Sequence, residues 1–265
     1  MKITNLKKIG PKKLIVFDLD GTVAESKTPV DAEMVELIRE LLSKKKMAVI
    51  GGGKYEIFQW QLASHLKFPK ELLRNLSLFP TSGNMFYQYK SGWKKVYSLT
   101  LTAAEKKEIR RVFEKIYDEI GYKAPRKVYG EVLEDRKSQL SWSPLGQDIV
   151  TVLGKKGLRM KEEWKRKYNP VRLRIAKLAA KYLPDLEVRV GGITTIDVTK
   201  KGIDKAYGIK QMQKYLGVKI KDMLYVGDAI YPGGNDYAAV RTGIDYIKIE
   251  TPEDTKKIIR EVLKK

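Results

Sequence analysis

Short apolar runs alternate with segments of helical periodicity along the first third of the chain. Residues 13–18 and the run "MAVIGGG" are almost continuously apolar, which is typical of buried strands. Residues 31–45 and 54–66 repeat apolar side chains every three or four positions and predict amphipathic helices. Because alternating strands and helices form βαβ units, this part of the chain predicts a parallel sheet covered by helices.

The pattern changes at about residue 85 and returns near residue 190. The run "MFYQYKSGWKKVYSL" predicts two aromatic strands around a Ser-Gly turn, and a capped helix that ends at Gly121, a second strand pair and a helix over 162–182 follow. After "LEVRVGGITTIDVT" helices and apolar strands alternate again. The sequence therefore predicts an α/β core with a Rossmann-like parallel sheet, residues 1–87 and 191–265, interrupted by an α+β domain over residues 88–190.

Composition limits the chemistry and the location that we expect. The 265 residues include no cysteine and a single histidine, His65, which excludes disulfides, thiolate catalysis and zinc sites built from Cys or from clustered His. No apolar stretch is long enough to predict a membrane span. The N-terminal "MKITNLKKIGPKK" also lacks the apolar stretch of a secretory signal, so a cytoplasmic location is expected.

The net charge of +21 has two interpretations. It is compatible with a surface that binds nucleic acid, and equally with a solvated surface rich in Lys, Arg and Glu. The basic residues are dispersed along the whole chain and mixed with Glu, which favours the solvated surface. We therefore expect no specific nucleic-acid partner.

Carboxylates follow two of the predicted strands. Asp18 and Asp20 end the run "LIVFDLD", and Asp228 ends "MLYVGD", while the glycines of "AVIGGG" follow a third strand and Lys205 begins a predicted helix. Since ligands bind at the carboxyl ends of parallel strands, these residues are expected at one edge of the sheet. Carboxylate oxygens suit Mg²⁺ and backbone amides suit a phosphate. The arrangement predicts phosphoryl transfer, in which Asp18 attacks phosphorus and Asp20 protonates the leaving oxygen.

These motifs resemble the haloacid dehalogenase (HAD) superfamily. "FDLDGT", the glycine loop, "GIDK" and "VGDAIYPGGND" occur in its order, and the inserted domain resembles its C2-type cap. Within that superfamily the chain is most similar to the phosphomannomutases, and the likeness extends over nearly the whole chain through "FPTSGNMFY", "DRKSQLSWSPLGQ", "GGITTIDVTKKGIDKAYG" and "TPEDT". The segments "SPLG" and "PGGND" are more specific than the Asp motif, which all superfamily members share.

The resemblance implies a role for each matching residue. Asp18 is the expected phosphoryl-accepting nucleophile, Asp20 the general acid/base, and Lys205 the cation that neutralises the phosphoryl group, with Thr22 also in the catalytic set. Mg²⁺ is the expected cofactor, and the residues expected to bind it or to order its loop are Asp18, Asp20 through its main-chain carbonyl, Asp228, Asn235 and Asp236. The expected substrate-binding residues are Lys27, Gly52, Gly53, Arg136, Gln147, Thr195 and Asp197.

Two departures from the family pattern leave the reaction open between a mutase and a phosphatase. Gln147 stands where the family has a phosphate-binding arginine, and Gly51, Gly52 and Gly53 stand where superfamily members carry a Ser or Thr beside the glycines. The first expectation is a phosphomannomutase-like enzyme that interconverts hexose 6- and 1-phosphates through an aspartyl-phosphate and is primed by a hexose 1,6-bisphosphate. The alternative is a sugar-phosphate phosphatase with the same catalytic residues.

A binding module that keeps the fold only as a scaffold is a third interpretation, and the intact Asp18, Asp20, Lys205 and Asp228 argue against it. The family often pairs through its caps. The aromatic strands over 85–99 are compatible with such a homodimer interface and equally with a covered core face.

Overall fold

A computed structural model describes residues 12–264. Its elements follow the alternation of apolar runs and periodic segments, with three short 3₁₀ turns between them. The strands are β1 (Leu14–Asp18), β2 (Lys46–Ile50), β3 (Leu76–Phe79), β4 (Met85–Tyr89), β5 (Trp93–Ser98), β6 (Leu133–Asp135), β7 (Gln139–Trp142), β8 (Leu186–Gly191), β9 (Thr195–Lys200), β10 (Met223–Gly227) and β11 (Asp245–Lys248). The helices are α1 (Ala32–Lys44), α2 (Tyr55–Gln61), α3 (Lys70–Leu73), α4 (Ala103–Ile120), α5 (Ile149–Leu153), α6 (Lys155–Tyr182), α7 (Lys205–Leu216), α8 (Tyr237–Val240) and α9 (Pro252–Leu263).

Among the described residues, the larger of two compact units contains those up to Ser98 and those from Asp204 onward. Its sheet has the strand order β11-β10-β1-β2-β3-β4-β5. The strands from β11 to β3 are parallel, and β4 and β5 add an antiparallel edge. Apolar side chains on both faces of the sheet are buried against helices, as is usual for parallel sheets. The α/β fold class with a parallel-sheet core is confirmed.

Helix α1 shows how local sequence sets an element of this unit. Its N-cap residue, Asp31, accepts a hydrogen bond of 2.8 Å from the backbone N–H of Met34, which satisfies a donor that the first turn leaves free. Met34, Leu37, Ile38, Leu41 and Leu42 form its buried face. Lys256 of α9 ion-pairs with Asp31 at 2.9 Å and ties the two helices together.

The smaller unit spans Leu99–Ile203 and has an antiparallel sheet of its own. The strand order is β6-β7-β9-β8, with α4 and α6 packed against each other and α6 against β8. Helix α4 begins with a capping box between Thr102 and Glu105 and ends at Gly121 in the left-handed conformation. Trp142 is fully buried in the core of this unit, where its indole N–H donates to the Tyr117 hydroxyl at 2.6 Å.

The boundaries of this unit differ from the expected 88 and 190. The aromatic strands β4 and β5 lie outside it, because β4 pairs with β3 and extends the large sheet. Strand β9 lies inside it, because β9 pairs with β7 and β8. Helix α6 also begins earlier than the predicted residue 162. The poor helix former Gly157 lies inside it, where a Cβ would clash with the carbonyl oxygen of Ile149 on α5.

Some of the charged side chains on the surface form ion pairs within a helix. Arg111 and Glu108 pair at 2.6 Å, as do Lys264 and Glu261, each three residues apart on one helix. Exposed pairs of this kind contribute little to stability, because solvent screens the charges and both side chains lose conformational freedom. Among the helices over residues 12–264, none combines the length and the apolar character that crossing a membrane requires.

Candidate active site

Parallel pairing brings three strand ends to one edge of the large sheet. Asp18 is the last residue of β1 and is in register with Ile50, the last residue of β2. On the other side of β1, Val16 and Phe17 are in register with Tyr225 and Val226 of β10. Asp18 is buried, and the loops that follow β2 and β10 begin beside it. This is the edge at which open α/β sheets bind ligands.

Lys205 lies between two of the carboxylates at this edge. It is the first residue of α7, and the helix starts there because the Asp204 side chain caps it by accepting from the backbone N–H of Tyr207 at 3.0 Å. The Lys205 ammonium donates to Oδ1 of Asp18 and to Oδ1 of Asp236. The lysine side chain is 1% exposed, so both ion pairs are shielded from water.

Asp236 is held by three further features of β10 and its loop. The Tyr225 hydroxyl donates to its Oδ1 at 2.6 Å, and the backbone N–H of Ala229 donates to its Oδ2 at 3.0 Å. Gly227 leaves the space that Oδ2 occupies, since a Cβ at this position would clash with it. The carboxylate is therefore fixed both by hydrogen bonds and by packing.

Asp228 completes a cluster of three carboxylates that suits a divalent cation. One oxygen each from Asp18, Asp228 and Asp236 lies within 4.8 Å of the others. Burial raises the pKa of Asp18, an effect that Lys205 opposes and the two other carboxylates reinforce. Burial and Asp236 likewise raise the pKa of Asp228. Three carboxylates face one ammonium here, and an oxygen-only donor set with excess negative charge fits a hard cation such as Mg²⁺.

Asp20 is oriented separately, by the loop after β1 and by α2. Its Oδ1 accepts from the backbone N–H of Lys27 at 2.7 Å and from the Nε2 of Gln61 at 3.1 Å. Gln61 is fully buried, and its Nε2 also donates to the carbonyl of Thr28 at 3.1 Å. The nearby Thr22 is buried as well, and its hydroxyl has no hydrogen-bond partner among the described residues.

The glycine loop after β2 passes beside Asp18. A Cβ on Gly51 would lie 3.3 Å from the Cβ of Leu19 and 3.7 Å from Oδ1 of Asp18. Gly52 has open space on its side-chain side. The loop is anchored by backbone hydrogen bonds from Thr81 to Gly53 at 2.9 Å and from Ser82 to Gly51 at 2.8 Å.

The smaller unit has its own polar network on β6, β7 and β9. Arg136 donates to Glu134 at 2.7 Å and to Oε1 of Gln147 at 3.0 Å, and Nε2 of Gln147 donates to the carbonyl of Ser141 at 2.7 Å. The hydroxyl of Ser141 donates to Asp197 at 2.6 Å. Burial raises the pKa of Asp197, and the charge of Arg136 opposes this. The network thus pairs the guanidinium of Arg136 with a carboxylate and a neutral amide.

Comparison with known proteins decides the family. The profile of the family described as "Eukaryotic phosphomannomutase" matches residues 34–265. The chain belongs to the eukaryotic phosphomannomutase family. A protein of Caenorhabditis elegans described as a probable phosphomannomutase is 28% identical over 269 residues, with 96% of each chain covered. The phosphomannomutase of Saccharomyces cerevisiae is 25% identical over 266 residues, covering 95% of this chain and 94% of that protein.

Solved structures agree on the fold. The IMP-bound, N-terminally truncated IMP-nucleotidase of Plasmodium falciparum matches with a TM-score of 0.69 at 17% identity, covering 98% of this chain and 72% of that one. Trehalose-6-phosphate phosphatase of Aspergillus fumigatus matches with a TM-score of 0.54 at 16% identity, covering 98% and 96%. The resemblance to the HAD superfamily and to its phosphomannomutases is confirmed, and the chain is a phosphomannomutase-like enzyme.

The structure brings part of the expected phosphomannomutase site together. Asp18, Lys205, Asp228 and Asp236 form one cluster, whereas Asn235 is exposed on the loop beside it. Further expected residues of this unit, Asp20, Thr22, Lys27, Gly52 and Gly53, lie on the loops that follow β1 and β2. Those of the smaller unit are Arg136, Gln147, Thr195 and Asp197, of which Arg136, Gln147 and Asp197 share the polar network.

Sequence reasoning missed two residues that contact this site. Tyr225 holds Asp236, and Gln61 holds Asp20. Each carried a weak signal, since each is a polar side chain at a position where the pattern predicts burial, within the apolar run of β10 and on α2. A buried polar group needs a partner, but the pattern alone does not name it.

Proposed function

We propose that this enzyme is a phosphomutase that interconverts hexose 6- and 1-phosphates, with mannose phosphates as the first candidates, through an aspartyl-phosphate on Asp18. The observation that carries the proposal is the buried Asp18–Lys205–Asp236 arrangement at the sheet edge beside the glycine loop. It occurs in a chain that aligns over nearly its whole length with proteins described as phosphomannomutases.

In the first half-reaction, a carboxylate oxygen of Asp18 attacks one phosphorus of a hexose 1,6-bisphosphate while the bond from that phosphorus to its sugar oxygen breaks, which leaves a hexose monophosphate. Asp20 gives its proton to that leaving oxygen. The hydrogen bonds from Lys27 and Gln61 both end on Oδ1 of Asp20, which orients the carboxyl group for this transfer. Lys205 has three N–H groups, and its two ion pairs leave one for a phosphoryl oxygen.

The second half-reaction runs in the opposite sense with a different sugar hydroxyl. Asp20, now ionised, removes the proton of the attacking hydroxyl, and the phosphoryl group leaves Asp18 for the sugar. A hexose 1,6-bisphosphate supplies the first phosphoryl group and so primes Asp18. Excluding water from Asp18 between the two halves favours this transfer over hydrolysis.

The proposed cofactor is Mg²⁺, held by Asp18, Asp228, Asp236 and the main-chain carbonyl of Asp20, with Asn235 in the same loop. The oxygen donor set and the excess negative charge of the cluster support this choice. When bound, the ion supplies positive charge to the phosphoryl oxygens as a Lewis acid.

The second phosphate of the substrate is assigned to Arg136 in the smaller unit, with Thr195 and Asp197 as the proposed partners of sugar hydroxyls and Lys27 as a further substrate contact. The match of Arg136 to the family motif supports this assignment, and in the structure Glu134 and Gln147 hold its guanidinium in place. Gln147 favours a second candidate, a sugar-phosphate phosphatase. It is a neutral amide that replaces a second guanidinium, and weaker binding of the far phosphate would leave the aspartyl-phosphate to water.

One incubation distinguishes the two candidates. The protein is mixed with Mg²⁺, mannose 1-phosphate and a catalytic amount of hexose 1,6-bisphosphate, and phosphorus NMR follows mannose 6-phosphate and free phosphate. The mutase produces mannose 6-phosphate with little free phosphate, and Asp18→Asn abolishes the conversion. If free phosphate is the sole product, the phosphatase is the correct candidate and the mutase is refuted. Full activity of Asp18→Asn would refute both candidates.

A further inference from the structure

Tyr225 is a buried polar residue that the proposed mechanism leaves without a role. It lies in the middle of β10 among apolar residues, is fully buried and belongs to the same apolar cluster as Val16, Ile209 and Met212. A buried tyrosine hydroxyl needs a hydrogen-bond partner. The partner here is Oδ1 of Asp236, at 2.6 Å, which is one of the three clustered carboxylates.

The same oxygen of Asp236 accepts from Tyr225 and from Lys205. The hydroxyl is a neutral donor, so its hydrogen bond stabilises the carboxylate without adding a positive charge. Lys205 therefore shares this oxygen of Asp236 with a second donor. The second donor weakens the attraction between Lys205 and Asp236 and so favours the ion pair between Lys205 and Asp18. Without the hydroxyl, Asp236 loses one of its donors and attracts the ammonium more strongly.

We propose that Tyr225 is a positioning residue whose hydroxyl fixes Asp236 and, through it, keeps Lys205 shared between Asp236 and Asp18. By this contact it tunes both the reactivity of Asp18 in phosphoryl transfer and the affinity of the carboxylate cluster for a divalent cation. The part that concerns turnover rests on the proposed function; the part that concerns cation binding is independent of it.

A matched control separates this role from simple packing. The Tyr97 hydroxyl donates to the carbonyl of Gly83 at 2.7 Å, and Tyr97 packs at the edge of the same apolar cluster as Tyr225. Both Tyr→Phe substitutions remove one largely buried hydroxyl and its hydrogen bond. Only Tyr225 contacts a carboxylate of the site.

The test compares full-length wild type, Tyr225→Phe and Tyr97→Phe in steady-state kinetics, together with calorimetric titration of Mg²⁺ into metal-free protein without substrate. Loss of a side chain that orients a metal-binding or catalytic group lowers activity or metal affinity by about 10- to 100-fold. We expect Tyr225→Phe to lower kcat and Mg²⁺ affinity by about that factor and to change the KM for hexose phosphate by less than about threefold. Tyr97→Phe is expected to leave kcat and Mg²⁺ affinity close to the wild-type values.

Equal Mg²⁺ affinities and equal kcat values for the two variants would overturn the inference, as would a Tyr225→Phe effect confined to KM. If Tyr225→Phe does not fold, Tyr225→Met supplies a second variant without the hydroxyl, and the same comparison decides. A wild-type protein that converts no hexose phosphate would refute the proposed function, while the Mg²⁺ titration would still test the role of Tyr225.

Discussion

Lys205→Met tests whether a buried cation holds the carboxylate cluster together. Methionine has a similar length and no charge, so the substitution removes both ion pairs of Lys205 while occupying much of its space. Removing one partner of a buried ion pair costs about 3–5 kcal/mol, because the remaining charge stays buried and unpaired. We expect a loss of that size from a free energy of unfolding that is typically about 5–15 kcal/mol.

The loss of stability has a defined dependence on pH. Burial raises the pKa of Asp18, and the charge of Lys205 opposes that rise, so the pKa rises further in Lys205→Met. Below the pKa of the unfolded chain, about 4, the carboxyl group is protonated in both states and contributes nothing. Above it, the folded state holds a proton that the unfolded state has lost, so stability falls as pH rises toward the folded pKa. The deficit of the variant is therefore larger at about pH 8 than at about pH 5.

Hydrogen exchange is the suitable assay, because a chain with two compact units need not unfold in one step. In metal-free Lys205→Met we expect faster amide exchange in β1 and β10 and unchanged exchange in β7 and β9 of the smaller unit. If the unit melts cooperatively, the melting temperature falls by roughly 6–20 °C, at about 2–4 °C per kcal/mol for a protein of this size.

A double substitution supplies the control. Asp18→Asn removes one of the two carboxylates that lose their counterion, so the double variant with Lys205→Met should be more stable than Lys205→Met alone. Wild-type exchange in β1 and β10 of Lys205→Met, or a double variant less stable than the single one, would refute the reasoning. Under the proposed function, turnover should also fall by about 10²–10³-fold, since the preorganised charge that we propose to face the phosphoryl group is lost.

Three further predictions concern other parts of the site. Gly227→Ala should lower the stability of the larger unit by about 1–3 kcal/mol, measured by hydrogen exchange in β10, and reduce turnover, because the new Cβ clashes with Asp236; unchanged stability and turnover would contradict the tight packing. Gln147→Arg should lower the melting temperature of the ligand-free protein, because two guanidinium groups then meet, and should increase the stabilisation by hexose 1,6-bisphosphate; no gain from the ligand would contradict the proposed role of Arg136 in phosphate binding. Asp18→Asn should stabilise the metal-free protein at neutral pH, with the advantage shrinking as pH falls toward the unfolded pKa of Asp18, since its folded pKa is raised; a constant advantage from acid to neutral pH would show that ionisation is not the cause.

The helices and strands were largely predictable from local sequence. The apolar run of β1, the periodic face of α1 and the left-handed Gly121 after α4 are properties of neighbouring residues, so the sequence indicates them directly. The boundary between the two units could not be predicted from local sequence. β4 and β5 resemble the strands of the insert in composition, yet β4 pairs with β3, and the residues of one strand do not specify which edge it joins.

For the site, the sequence by itself determined which residues stand at the ends of strands, and in a parallel sheet those ends share one edge. That rule was sufficient to place Asp18 and Asp228 together, and Lys205 joins them from the first turn of α7. Only the tertiary structure decided that Asp236 ion-pairs with Lys205 and accepts from Tyr225, and that Gln61 orients Asp20. Each of these contacts joins separate elements, and a buried polar group is satisfied by whichever element packs against it, which no local pattern specifies.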